Sequence, residues 1–158
     1  MMMELFNWMA GLKMVHIAYK GLAMAVVDQI SGEIPVAFNT AITVVPHIRS
    51  GKLRALATSS QERFPLLPDL PSVDEGGLKG FEGSSWQGLV MPARTPREIV
   101  TKVYAELAVM LKSAETREKF LAQGALPSGL EPGEFAAFVR RETEKWAKVA
   151  NAARIRAE

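Results

Sequence analysis

Between Val15 and Ser60 the chain uses the same punctuation twice: a helical run ends in Ser-Gly and passes directly into a short apolar run. The first pair is Ser31-Gly32, before residues 34–38; the second is Ser50-Gly51, before residues 53–58. Glycine just past a helix adopts the left-handed conformation that closes the last turn, so each pair reads as a helix stop followed by a strand start. Short strands alternating with short helices predict an α/β unit with a parallel or mixed sheet. Strands are expected at residues 14–18, 34–38, 53–58 and 81–91. In such sheets small ligands sit at the carboxyl ends of strands, against helix N-termini. Two junctions of this kind are present, Ala18-Tyr19-Lys20-Gly21 before Leu22 and Phe38-Asn39-Thr40 before Ala41.

These junctions make Tyr19, Lys20, Gly21, Leu22, Asn39 and Thr40 the candidate ligand-binding residues. The first turn of a helix leaves backbone N–H groups without intrahelical acceptors at the positive end of the dipole, which suits a carboxylate or phosphate. A site built on amides needs no arginine clamp, and no arginines converge on these loops in the sequence. Each residue also has a structural reading. Tyr19 and Lys20 fit a surface pair at a loop tip, and Asn39 or Thr40 fits the N-cap of a helix over residues 41–48. Pro46 lies inside that helix and would bend it or shorten its start. His16, in an apolar strand, reads as a packed core residue, and His47 as solvated near Arg49. Asp28 opposes the dipole near a helix C-terminus and reads as structural.

The 158 residues suffice for one domain with a sizeable core. A net charge of +2 with dispersed basic residues argues against the concentrated basic face of a nucleic-acid binder. The chain has no cysteine, which excludes disulfides and thiolate metal sites. No apolar run approaches the roughly 18 residues of a membrane span. The Met-rich start lacks a basic region and a small-residue cleavage site, so it does not read as a signal peptide. Leu5, Phe6, Met9 and Leu12 share a helical face and Gly11 is a stop, which predicts a buried amphipathic helix.

Residues 59–80 are expected to form a packed connecting loop, because Pro65, Pro68 and Pro71 deny it regular hydrogen bonding. Within it, Ser72-Val73-Asp74-Glu75 predicts one helical turn ending at Gly76-Gly77. Gly83-Ser84-Ser85-Trp86-Gln87-Gly88 departs from the G-x-S-x-G nucleophile pattern and has no helix directly after the serine. Trp86 reads as a packed indole with its N–H bonded. Further on, Thr95-Pro96-Arg97-Glu98 predicts a capping box, and residues 113–123 a capped helix stopped by Gly124. A last helix from about Pro132 carries Phe135, Phe138, Val139, Trp146 and Val149 on one side. Arg140, Arg141, Glu142, Glu144 and Lys145 are expected on its solvated face.

HIAYKG, then Ser-Gly-Glu-Ile, then PHIRSGKLRALATSS, resembles the Bug (TctC-like) family, the extracytoplasmic solute receptors of tripartite tricarboxylate transporters. The resemblance continues through Arg63, Leu67-Pro68-Asp69-Leu70-Pro71-Ser72, Trp86-Gln87-Gly88-Leu89 and Pro92-Ala93-Arg94-Thr95-Pro96. Family members are about twice this long, and the chain matches their second half. The resemblance implies an α/β, periplasmic-binding-protein-like (type II) fragment. Residues 1–82 would form a partial ligand-binding lobe, and 83–158 the crossover strand and C-terminal helices of a truncated first lobe. It implies that residue 1 falls inside a domain, since the glycine/serine loop that precedes this helix in receptors is absent. Trp86 would pack at the lobe junction, and Ala18 stands where receptors commonly have proline.

The function so implied is capture of a small carboxylate, a di- or tricarboxylate or an amino acid, in the periplasm. Backbone amides would hold the ligand for the transporter's membrane subunits. No bond is made or broken, and no metal or cofactor is implied. Helix faces of the first lobe would lack their usual cover, which predicts a homo-oligomer, by dimerisation or element swapping. The rival reading is a non-enzymatic assembly module without ligand; a serine hydrolase using Ser85 is the weaker one.

Overall fold

The computed structural model describes residues 1–153, and its regular elements are helical. They are α1 (Met2–Ala10), α2 (Leu22–Ser31), α3 (Ala41–Arg49), α4 (Arg97–Lys112), α5 (Ala114–Ala122) and α6 (Pro132–Ala152). Two compact units are formed. One is Met1–Ser85 with the described residues from Lys148 onward, and the other is Trp86–Ala147.

In the first unit, α1 closes on Gly11 (φ 65°) and α2 on Gly32 (φ 89°), both in the left-handed conformation the sequence predicts. The core gathers Leu5 of α1, Ala25 and Val26 of α2, Val45 of α3, Val73, Phe81 and Val149. Its centre is an aromatic triangle. Phe81, fully buried, stacks on Phe38 at 5.6 Å between centroids, and Phe6 meets both rings edge-on at 5.9 and 5.8 Å. α3 runs through Pro46, and α2 packs against α3.

The expected strands are not formed among the described residues. The single bridge joins Thr58 to Ser72 in parallel, with the Thr58 N–H donating to Pro71 O and the Val73 N–H to Thr58 O, both at 2.9 Å. A strand exists through its ladder partner, and residues 14–18, 34–38 and 81–91 have none among the described residues. Apart from Phe38 and Phe81, which pack in the core, many of their apolar side chains are open, Val15 at 84% exposure and Val90 at 79%. His16 follows the same logic. It lies at the surface, its Nδ1 3.0 Å from Glu4 Oε1, and not in a core.

The loop after Thr58 is pinned by polar side chains. The Ser72 N–H donates to Glu75 Oε2 at 3.0 Å and the Glu75 N–H to Ser72 Oγ at 3.1 Å, a reciprocal capping box on the predicted turn. Arg63 clamps this turn from outside, its Nε donating to both Glu75 oxygens and its Nη1 to Pro68 O. Asp74 accepts from Lys79 Nζ at 2.9 Å and from the Gly80 N–H at 2.7 Å.

In the second unit, Trp86 meets Phe135 and Phe138 edge-on at 5.7 and 5.4 Å. The bonded indole is that of Trp146, which donates to Glu142. Glu142, expected on the solvated face, is buried; besides the indole it holds Lys145. Ser113 caps α5 by accepting from the Thr116 N–H, and Glu134 folds back onto the Glu131 N–H at the start of α6. The capping box expected at Thr95 is not made: α4 begins at Arg97 with Pro96 at its cap. No described helix is long and apolar enough to cross a membrane.

Candidate functional site

Leu22 opens α2, with Gly21 in extended conformation at the cap (φ −171°, ψ 153°). Glycine offers no side-chain acceptor there, so the first-turn amides are uncapped. Lys20, Gly21 and Leu22 are exposed, and a β-carbon on Gly21 would meet nothing within 4 Å. Tyr19 behaves differently. It is half-buried, and its hydroxyl donates to Asp28 Oδ2 at 2.7 Å. That bond, made by the neutral phenol to a carboxylate, raises the Tyr19 pKa above its ordinary value, and desolvation adds to the shift.

Thr40 stands at the cap of α3 and its side chain accepts no backbone N–H. The Thr43 hydroxyl donates to Thr40 O at 2.7 Å, and the two hydroxyls lie 3.0 Å apart. Since Thr43 has one hydroxyl proton and it is spent, Thr40 Oγ1 is the donor of that pair. Asn39 Nδ2 donates to Gln29 Oε1 at 2.8 Å, while Asn39 Oδ1 is buried without a partner among the described residues.

Both junctions are therefore left with the same kind of donor. Tyr19 and Thr40 have given their only side-chain protons to acceptors of this chain, and Asn39 one of its two. The donors left at the two starts are the first-turn backbone amides, together with the Lys20 ammonium and one Asn39 proton. An anion is the chemical group such a surface accepts.

Asp28 and Gln29, neighbours on α2, receive these bonds, and neither stands out as a contact in the sequence. The available signal was Asp28 itself, a carboxylate near a helix C-terminus where it opposes the dipole unless paired. Two cavities in the first unit lie elsewhere. One of about 290 Å³ is lined by Ala55 and Leu66 to Leu70, the other of about 240 Å³ by α1 residues with Lys13, Met14, Ala152 and Ala153. Ser85 is exposed, and no hydrogen bond joins it to His16 or His47 among the described residues. Nor do three His, Asp or Glu side chains cluster there as metal ligands.

Residues 1–155 match the family model described as "Tripartite tricarboxylate transporter family receptor", TctC. Protein BugT of Bordetella pertussis is 35% identical over 146 residues, which are 92% of this chain and 45% of BugT. Among solved structures, R. palustris Rpa4515 with adipate superposes at a TM-score of 0.85 with 33% identity, covering 96% of this chain and 51% of that one. MatC from Rhodopseudomonas palustris, with bound malate, gives 0.78 and 29% identity, covering 94% and 51%. The chain thus spans about half the length of the proteins it matches. By sequence and by backbone alike, it belongs to the TctC family of tripartite tricarboxylate transporter receptors.

Proposed function

We propose that this chain captures a small carboxylate in the periplasm for the membrane subunits of a tripartite tricarboxylate transporter. The ligand's carboxylate sits on the backbone amides that open α2 and α3, at Gly21 and Leu22 and after Thr40. Residues 1–85, with 148–153 packed into the same unit, act as part of a ligand-binding lobe, and 86–147 belong to the other lobe. The observation that carries this reading is that the Tyr19 and Thr40 hydroxyls are committed internally, so uncapped amides are the donors both helix starts share. Bound adipate and malate in two solved relatives support a dicarboxylate as the ligand class.

Amide-to-carboxylate bonds of about 1.5–3 kcal/mol each, a few in number, offset the cost of immobilising a small acid and correspond to micromolar to millimolar affinity. Capture of this kind makes and breaks no covalent bond.

A second reading, a ligand-free assembly module, draws on the open apolar side chains of the unpaired segments, Val15, Ile17, Leu89 and Val90. The two readings are separated by isothermal calorimetry with adipate, malate and amino acids, run beside light scattering. Binding heat supports the receptor whether or not the chain self-associates. A dimer that releases no heat with any acid supports the module instead.

A further inference from the structure

Outside the helices' own ladders, the one hydrogen bond made by residues 18–21 is Tyr19 to Asp28, among the residues described. The loop that presents the α2 amides is otherwise joined to its helix through Lys20 and Gly21, the latter the residue with the least backbone restriction. At the other junction, the corresponding bond of Asn39 goes to Gln29. Asp28 and Gln29 are consecutive on α2, so their side chains leave the helix about 100° apart. One therefore reaches back to the loop before α2 while the other reaches across to the loop before α3. A carboxylate near a helix C-terminus is locally unfavourable, and here a specific partner offsets that disadvantage.

Resting on the carboxylate-capture reading above, we infer that Asp28 and Gln29 are positioning residues for ligand binding: a two-pronged brace on α2 that holds both amide-bearing loops in register for one ligand. Neither side chain contacts the ligand. Asp28 sets the α2 start through the Tyr19 phenol, and Gln29 sets the α3 start through the Asn39 amide. An acid held by the amides of both starts needs both prongs, and releasing either one costs affinity while the fold stays intact.

The test measures adipate and malate affinity by calorimetry, with melting temperature in parallel, for the wild-type chain, Asp28→Ala, Asp28→Asn, Gln29→Ala, Gln29→Glu and Tyr19→Phe. Losing a hydrogen bond to a charged acceptor predicts about tenfold weaker binding in Asp28→Ala. Tyr19→Phe should match it, and the double variant Tyr19→Phe/Asp28→Ala should be no weaker than either single change. Asp28→Asn and Gln29→Glu keep an acceptor oxygen and should restore wild-type affinity, all at unchanged melting temperature. Full affinity in both alanine variants overturns the brace and leaves the capture reading standing. So does weakening that tracks a fall in melting temperature and is not rescued by Asp28→Asn. Absence of heat in the wild-type chain itself overturns both.

Discussion

Gly88 lies against the ring of Phe135 so closely that a β-carbon there would fall 2.9 Å from both Cε1 and Cε2, and nearer still to Cζ. The ring has little room to retreat, because Trp86 meets it edge-on at 5.7 Å and Phe138 stacks on it at 6.4 Å. Overpacking at such a contact costs about 1–3 kcal/mol. Gly88→Ala should therefore destabilise the second unit by that amount in denaturant unfolding. Gly88→Ala/Phe135→Leu should recover part of the loss, because the smaller side chain makes space. Wild-type stability in the single variant would contradict the contact.

Phe81 fills the centre of the first unit, fully buried between Phe6 and Phe38. Phe81→Ala removes a ring that two others pack against, and should cost about 3–5 kcal/mol in denaturant unfolding. Phe81→Leu, closer in volume, should cost less. Equal losses for the two variants would mean that the ring contacts, which both changes remove, carry the whole loss and that the space Leu fills contributes nothing.

Acid should loosen the turn at Ser72 before it affects the aromatic core. The Ser72 amide, and then Arg63, hold the Glu75 carboxyl below its ordinary value of 4.5. Lys79 and the Gly80 amide likewise hold Asp74 below 3.8. Folded-state values that are depressed mean that the unfolded chain binds protons first as pH falls. The stabilisation is therefore complete above the ordinary values and is lost as pH drops through the lower, folded ones. Amide exchange at Ser72 and Gly80 should accelerate only below about pH 4.5. Glu75→Gln should remove the acid dependence at Ser72 alone. Exchange at these amides that shows no pH dependence beyond the intrinsic chemistry would contradict the carboxylate clamps.

Helix boundaries were legible because they are written in local chemistry. Gly11 and Gly32 stop their helices in the left-handed conformation, Ser113 caps α5, and Ser72 with Glu75 closes its turn. The strands were read from apolar runs and from the Ser-Gly helix stops before two of them, and neither signal names a ladder partner. Val15 and Ile17, or Leu89 and Val90, carry a strand's composition and stay open because no ladder pairs them. His16 was misplaced with its strand. Thr95 illustrates a local signal set aside, since α4 starts after Pro96 and leaves the box unmade. Glu142 sits among charged neighbours in sequence, yet lies buried with Trp146 and Lys145, partners on its own helix that spacing permits without showing burial.

The candidate loops were legible as junctions, but their internal wiring was not. Tyr19 to Asp28 spans nine residues and Asn39 to Gln29 ten, too far for a helical spacing rule to anticipate. Those two bonds are also what shift the donor role at the site from side chains to backbone.

That shift is tested most directly by following backbone amide resonances while malate is titrated into the protein. The account predicts saturable shifts concentrated at Leu22 and Ala23 and at Ala41 and Ile42, with the turn around Ser72 unmoved. Saturable binding that shifts residues lining either cavity, Leu67 or Lys13 for example, and leaves both helix starts still, would contradict it.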